Sequence, residues 1–140
     1  MNEKYISDKS LLDDKAYQDF LKENPSYGFL KIRASAANEA VPISNIKIKV
    51  SKEIGNNNVI FYEGITDESG MINNIKLPSP VKITSDLEKP KFTDYKLTAI
   101  NEMENIDKEY TISICCGITV IQYINIIPKV SGEIRWINGN

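Results

Sequence analysis

The stretch Asn45-Ile46-Lys47-Ile48-Lys49-Val50-Ser51 decides the fold. Every second residue is apolar and β-branched, so a strand here turns Ile46, Ile48 and Val50 toward a core and Lys47 and Lys49 toward water. Upstream, Phe29-Leu30-Lys31-Ile32-Arg33-Ala34-Ser35 alternates in the same way, with Leu30, Ile32 and Ala34 on one face. Downstream, Gly55-Asn56-Asn57-Asn58 is a turn cluster of residues that tolerate positive φ, and Val59-Ile60-Phe61-Tyr62 leaves it as a strand. Thr66-Asp67-Glu68-Ser69-Gly70 is a second turn, followed by a short strand from Met71 to Leu77. Pro78 and Pro80 donate nothing to a ladder and open a long loop over 78–93. Tyr95 to Ile100 alternates again, Asn101 to Asp107 is a polar turn, and Tyr110–Cys116 and Gly117–Ile127 are the last two strands, or one long hairpin turning at Cys116-Gly117. Seven short strands with no helical period among them predict an all-β, seven-stranded antiparallel Greek-key β-sandwich.

The first 27 residues differ. They hold four lysines against six acids, and Leu12, Ala16 and Phe20 recur every four residues with Tyr17 and Leu21 beside them. That is the stripe of a short N-terminal amphipathic helix over 11–23, capped by Ser10 or Asp13 and ended by Pro25. The chain therefore divides into a helical segment 1–27, a β-sandwich domain 28–128 and a tail 129–140, whose apolar anchors are Ile134, Trp136 and Ile137.

The 140 residues carry 17 basic and 19 acidic side chains and no histidine. Missing histidine removes Ser-His-Asp and Cys-His nucleophile activation and His-containing metal sites. A net charge of -2 offers no basic field for phosphates, so nucleic acid is not an expected partner. The apolar stretch Ile112–Pro128 is broken by Ser113, Gly117, Thr119, Gln122 and Asn125, which argues against membrane insertion. Acids at Glu3 and Asp8 stand where a signal peptide is basic and then apolar, which points to the cytoplasm.

The punctuation of residues 28–128 resembles the carboxypeptidase regulatory-like family of transthyretin-like sandwiches. The matching residues are Gly28-Phe29-Leu30-Lys31-Ile32, Val41-Pro42-Ile43-Ser44-Asn45-Ile46-Lys47-Ile48-Lys49-Val50 and Thr66-Asp67-Glu68-Ser69-Gly70. The continuation, Leu77-Pro78-Ser79-Pro80 and then Pro90-Lys91-Phe92-Thr93-Asp94-Tyr95-Lys96-Leu97-Thr98-Ala99, is similar to the N-terminal accessory region of clostridial spore cortex-lytic enzymes. The resemblance implies a transthyretin-like sandwich that is not an enzyme, binds no cofactor, and sits in a spore or cell-envelope assembly. Asn45 and Ser79 depart from the commoner glycine and alanine, and the helix and the Trp136 tail have no counterpart.

Other constellations are explained structurally. Cys115 and Cys116 point to opposite faces of a strand, which predicts free thiols, one in the core and one at the surface. Asp67-Glu68-Ser69-Gly70 fits a tight turn without an ion, and two thiolates without histidine fall short of a zinc site. Glu63, Asp67, Glu102 and Glu104 are acids without a cleft. Lys31 and Asn125 are the pair to check for an isopeptide bond. The strongest functional signal is that Val59–Tyr62 and Gly117–Ile127 are apolar on both faces, so the outer face must be covered by the helix or by another chain. The expected interaction face is Phe61, Tyr62, Ile121, Tyr123, Ile127 and Trp136. The function so read is a non-catalytic module for protein–protein interaction or assembly, its partner another protein or a second copy. The alternative is a carrier that binds a small apolar ligand between subunits of an oligomer.

Overall fold

Alternating strands bury one face each and need a second sheet to close the core, and the chain supplies it. The computed structural model describes residues 5–6, 15–36, 40–82, 89, 91–103 and 105–126. The elements run β1 (Tyr5–Ile6), α1 (Lys15–Glu23), β2 (Ser26–Ala36), β3 (Val41–Pro42), β4 (Lys47–Ile54), β5 (Asn57–Ile65), β6 (Met71–Ser79), β7 (Thr93–Asn101), β8 (Ile106–Ile114) and β9 (Thr119–Ile126). Seven strands are long; β1 and β3 add two residues each. One sheet has the order β1-β5-β4-β7-β8, and the other joins β6, β2 and β9, with β3 continuing beside the end of β2. The fold is the expected β-sandwich with a short N-terminal helix.

Leu30, Ile32, Ile48, Val50, Leu77, Leu97, Ile114 and Ile124 are fully buried between the sheets. Each fully buried aliphatic side chain is worth about 1.5–3 kcal/mol relative to exposure. Tyr95 reaches from β7 across the core, where its hydroxyl donates to the Pro78 carbonyl of β6 at 2.6 Å and so ties the two sheets. At one corner Thr66 Oγ1 donates to the Ile43 carbonyl and accepts from the Ile46 N–H, both at 3.0 Å. A valine there would leave both backbone groups unpaired, which is the physical reason for a threonine.

Three expectations are corrected. Cys116-Gly117 is not a hairpin turn. β8 pairs with β7, while β9 lies on β2, so the chain changes sheets between Ile114 and Thr119. Gly117, at φ 72°, donates its N–H to the Tyr27 carbonyl at 2.9 Å, and Phe29 donates to the Ile118 carbonyl at 2.9 Å. β9 thus starts at the same end of the sandwich as β2 and must run parallel to it, so the pairing is not antiparallel throughout; β1 also runs parallel to β5. Pro78 does not stop β6, which continues to Ser79: among the described residues β6 pairs only with β2, and a proline fits where no donor is needed.

The helix is described from Lys15; Leu12 and both capping candidates, Ser10 and Asp13, lie outside the described residues. Tyr17 and Phe20, three apart, are its buried side chains, whereas Leu21 is exposed. Phe20 meets Phe61 at 5.6 Å and Tyr95 at 6.5 Å between ring centroids. The helix ends at Glu23, and Asn24 fixes the exit: its side chain donates to the Phe20 carbonyl at 2.9 Å and accepts from the Thr93 hydroxyl.

Candidate functional site

β2, β6 and β9 contain no aspartate or glutamate at all. Their alternation sends Leu30, Ile32 and Ala34 inward and leaves Tyr27, Phe29, Lys31 and Arg33 on the outer face. On β9, Ile124 is buried while Thr119, Ile121, Tyr123 and Asn125 face out. Register then sets the neighbours: Ile121 lies opposite Lys31, Tyr123 opposite Arg33, and Phe29 opposite Lys76. Lys76 Nζ stands 4.1 Å from the centroid of the Tyr27 ring. Tyr27 and Ile121 are each 45% exposed and Tyr123 is 40% exposed. The outer face of this sheet therefore carries exposed aromatic and aliphatic groups between three cations, with no carboxylate from its own strands. The five-stranded sheet is different, for its outer face mixes signs and pairs Lys96 with Glu109 at 3.7 Å.

Of the six residues expected to form one interaction face, the structure brings Ile121 and Tyr123 together. Phe61 and Tyr62 sit on the other sheet, packed against the core. A register shift at Val50/Ser51 accompanies this, and the Phe61 ring lies 5.3 Å from Tyr95. Phe20 of the helix meets the Phe61 ring, whereas Ile121 and Tyr123 stay exposed. Ile127, Trp136 and Glu104 lie outside the described residues. Tyr27, Phe29 and Lys76 were missed, because the sequence shows which residues share a strand face but not which strands lie side by side.

The remaining candidates take ordinary places. Cys115 and Cys116 are free and both half-buried, since they occupy the crossing between sheets rather than a strand with one buried face. Asp67 Oδ1 accepts the N–H groups of Ser69 and Met71, each at 2.9 Å, so this carboxylate closes its own turn. Lys31 and Asn125 stand four residues apart along one ladder, about 13 Å at strand rise, so they do not meet. Glu63 lies on β5 and Glu102 in the turn after β7.

Two clefts open elsewhere. One, of about 450 Å³, forms where β4 parts from β7 beyond Ser51 and is lined by Lys52, Glu53, Asp94, Lys96 and Glu109. Its central groups are engaged: Lys52 Nζ donates to the Asp94 carbonyl at 2.8 Å, and Ser113 Oγ donates to Asp94 Oδ1 at 2.5 Å. The other, of about 670 Å³, lies between the end of α1 and the start of β7, beside Lys22, Asn24, Val81 and Phe92. Both are lined partly by charged side chains. Among the described residues no helix is long and apolar enough to cross a membrane, and no group of three or more potential metal ligands occurs.

The sheet order and the crossing to β9 define a transthyretin-like β-sandwich. The Klebsiella pneumoniae 5-hydroxyisourate hydrolase has a similar structure, with a TM-score of 0.50 at 15% identity over 74% of this chain and 92% of that one. No family model and no curated protein matches the sequence. The hydrolase corrects the expectation that the chain is not an enzyme. That expectation joined the missing histidines to the architecture, yet this architecture carries a hydrolase, so it gives no ground for excluding catalysis. The lack of histidine still removes every mechanism that needs an imidazole.

Proposed function

We propose that this transthyretin-like sandwich is a protein-interaction module that docks its partner on the outer face of the four-stranded sheet, around Ile121 and Tyr123 on its β9 edge. The observation that carries the reading is the exposure of these two side chains on a strand whose inner face is also apolar. Exposed aromatic and aliphatic groups flanked by cations make the kind of patch that protein interfaces use. The resemblance of residues 28–128 to the accessory region of spore cortex-lytic enzymes supports a spore or cell-envelope assembly as the setting.

The test is site-specific photo-crosslinking in the native cell, with the reactive group at Ile121 and, separately, at exposed Thr111 on the five-stranded sheet. A discrete adduct from position 121 alone is expected, and its mass distinguishes a second copy from another protein. No adduct at 121, or equal adducts at both positions, overturns the reading.

A further inference from the structure

We infer that the partner presents an acidic, extended polypeptide segment, laid as an additional strand along β9 and over the outer face of the four-stranded sheet. This rests on the docking face proposed above and names the chemistry it recognises. Lys31, Arg33 and Lys76 face outward from strands that hold no acid, and none of the three makes an ion pair among the described residues, although the chain as a whole is acidic. Cations grouped in this way without a carboxylate of their own, Lys76 resting only on the Tyr27 ring, are left for a partner's carboxylates. The apolar groups between them, Ile121, Tyr123 and Phe29, call for apolar side chains interleaved with those carboxylates.

Among the described residues β9 pairs on one side only, with β2, over eight residues from Thr119 to Ile126. Its other side presents the N–H and C=O groups of alternate residues, of which the Tyr123 carbonyl already accepts from Gln122 Nε2 at 3.0 Å, and the strand has no proline and no charged residue to block pairing. Such an edge is matched by another peptide backbone, not by a polyphosphate or a polysaccharide. A second copy paired edge to edge would bring no carboxylate to either Lys31/Arg33 row, because its own β2, β6 and β9 hold none. The chain's own residues 127–140 carry Lys129 and Arg135 against a single Glu133, the wrong balance for this face.

The experiment follows backbone amide resonances of the isotope-labelled full chain on titration with a soluble random copolymer of glutamate and tyrosine. A lysine–tyrosine copolymer, heparin and a single-stranded oligonucleotide serve as comparisons. The inference expects shifts concentrated in β9 and β2 with the acidic copolymer, and affinity at least about tenfold weaker in the Lys31→Glu/Arg33→Glu variant, whose unfolding midpoint is checked alongside. Lys76→Glu, which alters an exposed residue on another strand, should weaken binding in the same direction. Equal binding of the lysine–tyrosine copolymer, or no effect of charge reversal, overturns the acidic preference while the docking face stands. Equal competition by heparin or the oligonucleotide overturns the polypeptide class. Full hydrogen-exchange protection of β9 before any copolymer is added means that the edge is already occupied, and overturns the strand addition. The docking face itself falls only if crosslinking at Ile121 also fails.

Discussion

Tyr95 is buried to 2% exposure and bridges two sheets through one hydroxyl, so its phenol and its proton can be tested separately. Tyr95→Phe keeps the ring against Phe20 and Phe61 but strands the Pro78 carbonyl, and is expected to cost about 1–3 kcal/mol in denaturant unfolding. No loss would mean that the carbonyl finds another donor. Burial, with a smaller contribution from Tyr17, also raises the Tyr95 pKa far above the ordinary phenol range. The folded state holds this proton while unfolded tyrosines titrate near ~10, so its contribution is complete below that pH and is lost above it as pH rises toward the folded value. Stability should therefore fall in that window by about 1.4 kcal/mol per pH unit from this residue. Melting curves across the alkaline range check it, and a slope unchanged in Tyr95→Phe would refute the assignment. Gly28 is a third residue-scale case. A Cβ there would meet the Cys115 carbonyl oxygen at 2.1 Å and Ile114 Cγ2 at 2.6 Å, backbone and core that cannot move aside cheaply. Gly28→Ala should destabilise by at least about 2 kcal/mol. Gly117→Ala, which meets no atom within 4 Å and is strained only by its φ of 72°, should cost about 1–2 kcal/mol.

At the scale of elements, α1 contributes through two side chains, and Phe20 is the larger part. Phe20→Ala removes its contacts with Phe61 and Tyr95 and should cost about 3 kcal/mol or more, read as a lowered midpoint of chemical unfolding. A change below about 1 kcal/mol would show that the helix is dispensable. Element type was legible because residue patterning reports it: period two marked β2, β4 and β7, turn punctuation and apolar runs marked the other long strands, and the recurrence of Leu12, Ala16 and Phe20 beside Tyr17 and Leu21 marked the helix. Element partners were not. Cys116-Gly117 between two apolar runs has the composition of a hairpin turn, and nothing within ten residues of it says that β9 will cross to β2. The candidate face was misassembled for that reason. Phe61 and Ile121 look alike along their own strands, and only the sheet order sends one to the helix and leaves the other exposed.

At the scale of the molecule, long-range pairing governs folding. β2 and β9 pair Phe29 with Thr119 and Ala36 with Ile126, so the four-stranded sheet is completed only when residues about ninety apart meet. Refolding in milliseconds to seconds is expected by stopped-flow fluorescence, and microsecond refolding would contradict this topology. A chain cut after Ile118 loses buried Ile124 and the strand that pairs β2 on its β9 side, and should show no cooperative unfolding transition. Architecture was readable from the sequence at this scale because alternation, turn punctuation and the absence of helical period after Gly28 converge on a sandwich. Catalytic capacity was not, because the same architecture accommodates a hydrolase.

The parallel pairing of the first and last long strands has a mechanical consequence. Ser26 begins β2 at one end of the ladder, and Ile126 ends β9 at the other. Tension applied through those two points pulls the strands along each other in opposite directions, so the hydrogen bonds between them bear the load together. Handles at Ala36 and Ile126, which sit side by side, would instead open the ladder one bond at a time. Single-molecule stretching should therefore give a higher rupture force in the first geometry than in the second. A sandwich wired in this way holds its shape when its two ends are fastened to bodies that move apart, and it presents Ile121 and Tyr123 from the strand that carries the strain.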